Sequence, residues 1–183
     1  MTTRILAVLL GLAAGSAVAQ TIGPIVASDL NGDGRAERFA LIDTGDGAAD
    51  LQIENTGWGN GVIYAERIAW VGGIGQRPEL SLAPNGSVRL TSMNEAIGRR
   101  RWELSLTIAH RNDAYTVAGV TFRWRDTIDN TDAGVCDVNL LTGRGTLWRD
   151  GRPEQRFRTT AKPRPATQWK DDTPLPKDCG LPN

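Results

Sequence analysis

The sequence predicts an all-β domain, an antiparallel sandwich or open barrel with a Pro-rich C-terminal tail. Short runs in which apolar and polar residues alternate fill most of the chain, and turn dipeptides separate them. No apolar residues recur at helical spacing, and the 21 glycines among 183 residues suit turns, bulges and corners rather than helices. Long helices between strands, the mark of a parallel sheet, are missing, as is any repeat of constant period.

The elements follow in order. "IGPIVAS" and "RFALID" read as strands on either side of the polar stretch "DLNGDGRAE" at 29–37. "RFALID" and "ADLQIEN" flank "TGDGA" and form a hairpin. "ELSLA" and "SVRLTS" flank Pro84, Asn85 and Gly86, a second hairpin, because Asn-Gly accepts the positive φ of a tight turn. In "RRWELSLTIAH" alternation puts Trp102, Leu104, Leu106 and Ile108 on one face. In "YTVAGVTFRWRDT" Val120, Phe122 and Trp124 share a face opposite Thr121, Arg123 and Arg125. "CDVNLLTG" and "GTLWRDG" are two further short strands. The β domain spans 20–160. From Ala161 onward five of the nine prolines fall in an extended tail, 161–183, expected to lie on the surface outside the core.

The first residues, "MTTRILAVLLGLAAGSAVAQ", have the form of a signal peptide: Arg4, an apolar run, then the small residues Ala17 and Ala19. That run is shorter than the ~20 residues a membrane-spanning helix needs. Segment 1–19 is therefore expected to be cleaved, with Gln20 first in a periplasmic or secreted chain, and no later segment reads as a membrane span. The balance of 21 basic and 21 acidic residues argues against nucleic acid as a partner. In an exported chain the two cysteines, Cys136 and Cys179, are expected to form one disulfide that ties the tail to the body. Closing so long a loop contributes roughly 4 kcal/mol on the loop-entropy model. A redox-active pair is the alternative, though no C-x-x-C is present.

The stretch "DLNGDGRAE" has calcium-loop spacing. With Asp29 as position one, Asn31 and Asp33 stand at three and five, Arg35 at seven and Glu37 at nine. Calcium takes six to eight oxygens, and this spacing supplies the Asp29, Asn31 and Asp33 side chains, the Arg35 carbonyl, and Glu37 directly or through a water. Gly34 sits at position six, where the chain must turn sharply. An Asx turn alone accounts for Asn-Gly and Asp-Gly, but not for three carboxylates in nine residues. An EF-hand would put Glu at position twelve, where this chain has Ala40, and would have helical flanks.

With its strand flanks, "VASDLNGDGRAERFALID" resembles the strand–loop–strand calcium motif of FG-GAP and VCBS-type repeats of secreted and surface proteins. The likeness covers 25–43: Asp29, Asn31, Gly32, Asp33 and Gly34 match, while Glu37 stands where the family more often has Asp. It implies a structural calcium ion between strands, not an enzyme. Family members often build propellers with a loop in each blade. Here the single echo, "DTGDGAAD" at 43–50, has Ile42 and Thr44 at positions one and three and cannot form the same cage. "CDVNLLTGRG" is similar in style to small exported bacterial proteins.

Other constellations read more plainly. His110 is the sole histidine and ends a strand, which leaves neither a hydrolase triad nor a zinc site. Asp126, Asp129 and Asp132 form a polar loop whose carboxylates could serve sugar hydrolysis only if two faced a shared cleft. Trp102, Trp124 and Trp148 are expected in the core, whereas Trp58, in "TGWGNG", is a possible ligand contact. Arg99, Arg100 and Arg101 read as a solvated turn. The function expected is a non-catalytic exported β domain with a structural Ca2+ site, a binding or adhesion module for a protein or glycan of the bacterial envelope. A small periplasmic carbohydrate hydrolase and a periplasmic hydrolase inhibitor are the alternatives.

Overall fold

The structure is a computed structural model that describes residues 20–56, 61–129 and 131–179. The expected signal segment and Trp58 lie outside the described residues. Two antiparallel sheets, not closed into a barrel, form a sandwich. The first has four strands in chain order: β1 (Gln20–Ser28), β2 (Glu37–Asp43), β3 (Ala48–Glu54) and β4 (Val62–Trp70). The second runs from β5 (Glu79–Leu82) through β6 (Val88–Asn94), β7 (Arg100–Arg111), β8 (Ala114–Asp126), β9 (Ala133–Asn139) and β10 (Arg144–Arg149) to β11 (Gln155–Arg158). Each of these strands pairs with its neighbour in sequence. The short strand β12 (Arg164–Pro165) adds to β8 beside Thr116 and Val117.

Alternation drives the packing, because side chains of a strand point to opposite faces in turn. In β2, Glu37, Phe39 and Leu41 are buried while Arg38 is exposed. Leu51 and Ile53 of β3 continue that face, and Val88, Leu90, Leu106 and Ile108 line the opposing one. Both expected hairpins form. The turn between β5 and β6 carries Gly86 at φ 81°, a conformation that costs glycine nothing. Among the described residues no helix is long and apolar enough to cross a membrane.

The tail departs from the surface path expected of it. It is extended, but Ala166 and Trp169 are buried and join the core through the 3-10 turn Ala166–Gln168 packed near β4 and β8. A large apolar indole at the end of a proline-rich segment gains more by filling the sheet interface than the segment loses by ordering. Cys136 of β9 and Cys179 form the disulfide, with Cα atoms 5.6 Å apart. Trp148 departs in the other direction. It lies 40% exposed on the outer face of β10, where alternation places it opposite Leu147 and Arg149. Trp102 and Trp124 are half-buried.

Candidate functional site

The loop between β1 and β2 is a hairpin connection closed by the pair Ser28 and Glu37. Its backbone curls around one carboxylate. Asp29 Oδ1 accepts the N–H groups of Gly32 (2.8 Å) and Asp33 (3.1 Å), and Oδ2 accepts that of Gly34 (3.0 Å). Asn31 Oδ1 accepts the Asp33 N–H at 2.9 Å, and Asp33 Oδ1 accepts the Arg35 N–H at 2.8 Å. Gly32 and Gly34 have φ of 76° and 85°, which a side chain would resist. The Asn31 amide donates to Asp33 Oδ2 at 3.1 Å. Four of the five expected ligating positions thus lie along one tight, exposed arc.

The fifth is different. Glu37 is fully buried, because the alternation that turns Phe39 and Leu41 inward turns it inward too. Its Oε2 accepts the Leu30 N–H at 2.7 Å, and its Oε1 accepts the hydroxyl of Tyr115 at 2.7 Å. Tyr115 belongs to β8 of the opposite sheet, so this bond crosses the sandwich. The Tyr115 hydroxyl is held protonated well above its usual range, first by burial and then by its hydrogen bond to Glu37 and the charge there. The Asp33 carboxylate acts in the same direction. Two neutral donors therefore meet a buried acidic group.

Tyr115 is the residue that sequence reasoning missed. The signal lay on the other partner: Glu37 occupies an inward position in "ERFALID", and a buried carboxylate requires donors. Nothing near Tyr115 in sequence identifies it as one.

The donor set suits a hard divalent ion in kind, since every candidate is oxygen. The three acidic side chains are not drawn into one cage, however. Among the described residues no group of three His, Cys, Asp or Glu stands ready to hold a metal. An ion here would be held by Asp29, Asn31, Asp33 and the Arg35 carbonyl, since both Glu37 oxygens are engaged by the Leu30 N–H and the Tyr115 hydroxyl.

The other candidates are occupied by protein partners. In the echo loop Asp46 Oδ2 binds Arg67 at 2.5 Å and Asp50 Oδ1 accepts the Arg67 N–H at 2.8 Å, so an arginine holds the carboxylates there. Asp126 is buried, pairs with Arg99 at 2.6 Å and accepts the N–H groups of Ile128 and Asp129. The Arg99 guanidinium, with the Asp129 N–H, holds the Asp126 carboxyl down at about 2. Asp129 turns to Thr131, and Asp132 accepts the Trp124 indole N–H at 3.1 Å. The arginine run is thus partly spent on this loop: Arg99 on Asp126 and Arg100, at 3.8 Å, on Asp132. His110, next to last in β7, has its ring 5.0 Å from that of Tyr115.

A cleft lies elsewhere, between the inner face of β7 and β8 and the tail. Trp102 stacks on Phe122 (centroids 6.4 Å apart) and Phe122 on Trp124 (6.0 Å), and these rings line a cleft of about 470 Å³ with residues 174–177. No protein family, curated protein or solved structure matches this chain.

Proposed function

We propose that the chain is an exported, non-catalytic β-sandwich, stapled by calcium at 29–37 and serving as a binding or adhesion module of the bacterial envelope. The observation that carries this reading is the curl of the loop around Asp29, which points three backbone N–H groups at one carboxylate and leaves the Asn31 and Asp33 side chains on the same arc. The resemblance of 25–43 to FG-GAP and VCBS-type loops supports it. Export is supported by the Arg4-led apolar segment and by the Cys136–Cys179 bridge, which an oxidising compartment maintains.

Asp29, Asn31 and Asp33 hold the ion through side-chain oxygens and Arg35 through its carbonyl. A bound calcium ion supplies the positive charge that offsets the clustered carboxylates. Glu37 ties the arc to the opposite sheet through Tyr115, so that ordering the loop also orders the sandwich interface. The envelope partner would be a protein or a glycan.

Thermal unfolding of the oxidised chain against free calcium tests the staple. At a hundredfold excess over Kd the ion stabilises by about 2.7 kcal/mol, a shift of roughly 5–10 °C for a chain of this size. Asp33→Ala is expected to abolish the response. A wild-type midpoint that ignores calcium would reduce the loop to a turn.

A further inference from the structure

The cleft above the aromatic row has a floor, a wall and a charged rim. Its floor is made by Trp102, Phe122 and Trp124, which the paired register of β7 and β8 sets side by side. Gly134 on β9 has no side chain, which lets the Trp124 ring lie flat over the strand: a Cβ there would come within 2.4 Å of it. The wall is the tail segment 174–177, which Cys179 anchors to β9.

The rim is cationic. Arg100, Arg101 and Lys177 line the cleft against a single carboxylate, that of Asp132. Asp132 is already engaged by the Trp124 indole and by Arg100. Arg101 pairs with Arg125, on the sheet face opposite Trp102 and Trp124, and its Nη1 is fully buried, so the cations open to the cleft are Arg100 and Lys177. Few polar groups line the rest, which disfavours a neutral sugar with its many hydroxyls. A cleft of about 470 Å³ falls within the range that encloses a small organic molecule.

From this charge complementarity and apolar lining, we propose that the cleft binds a small amphipathic anion, a carboxylate on a flat apolar body. The body stacks on the aromatic floor against the proline wall, and the carboxylate meets the exposed guanidinium of Arg100, with Lys177 adding charge. The inference rests on the reading of the chain as a binding module and is independent of calcium.

The test is a calorimetric and tryptophan-fluorescence titration of the oxidised chain with 2-naphthoate, its neutral isostere 2-naphthamide and a neutral oligosaccharide. Saturable one-to-one binding of naphthoate is expected, about tenfold or more tighter than naphthamide. R100Q and K177Q should weaken naphthoate and leave naphthamide unchanged. K177Q alters an exposed tail residue, so it and the ligand comparison in the wild type decide the matter if R100Q does not fold. Absent saturation, equal affinity for the two naphthalenes, or binding of the oligosaccharide in place of naphthoate overturns the proposal. Repeating the titration in chelator separates the two readings: naphthoate binding that survives chelator, beside a calcium-blind melting curve, leaves the cleft standing and removes only the staple.

Discussion

Removing one hydroxyl, by Tyr115→Phe, leaves Glu37 Oε1 without its donor in a fully buried position. The expected cost is about 1–3 kcal/mol in denaturant unfolding at neutral pH, since a buried acceptor loses its partner and cannot reach water. A change below about 0.5 kcal/mol would show that the bond across the sandwich contributes little. The pH dependence follows from the direction of the Tyr115 shift. Its folded pKa is raised above the unfolded value of ~10, so the associated stability is whole below that value and falls as pH climbs above it. The gap between wild type and Tyr115→Phe should therefore narrow in alkali. Asp126 behaves in the opposite sense. Held down at about 2 by Arg99, it contributes stability above its unfolded value of ~3.9 and loses it as pH falls towards about 2. Acid unfolding of Asp126→Asn should begin from a lower midpoint at neutral pH and show a shallower decline between pH 4 and 2, by circular dichroism. Of the candidate site, the turn from Asp29 to Arg35 was legible in the sequence, because Asx and Gly turn chemistry acts over a few neighbours. Tyr115 was not, because it meets Glu37 from 78 residues away.

Strands and turns were mostly readable one element at a time. The Asn85-Gly86 hairpin and the alternation of "RFALID" depend only on backbone sterics and on a period of two. The arrangement of side chains over the sheet depends on what covers it. Trp102, Trp124 and Trp148 share a sequence context of strand and arginine, yet only Trp102 and Trp124 lie on the face that the tail covers. Gly134 marks the difference. Gly134→Ala would drive a Cβ to 2.4 Å from the Trp124 ring and 2.6 Å from the Trp148 carbonyl oxygen. We expect a loss of about 1–3 kcal/mol, as for other overpacked cores. Gly73→Ala, where an added Cβ meets nothing within 4 Å, should stay within about 0.5 kcal/mol and serves as the control. Equal effects at the two positions would mean that the ring moves aside freely.

At the scale of the whole molecule, the disulfide couples the 3-10 turn Lys177–Cys179 to β9 of the larger sheet. Cys136 pairs with Phe122 across β8 and β9, so the bridge lands beside the aromatic floor. Removing it, by Cys179→Ser with Cys136→Ser, should cost about 4 kcal/mol on the loop-entropy model for the 43-residue separation. Loss of naphthoate binding in a variant that remains folded would tie the cleft to the tail. The sequence by itself determined the all-β class, the hairpins and the curl of the acidic loop. Each follows from alternation, turn chemistry or spacing within a few neighbours. Only the tertiary structure decided that Glu37 is shared with Tyr115, that Trp169 enters the core, and that the tail roofs an aromatic cleft. Those outcomes depend on which surfaces meet when two sheets pack, and no local pattern encodes the pairing of positions far apart in the chain.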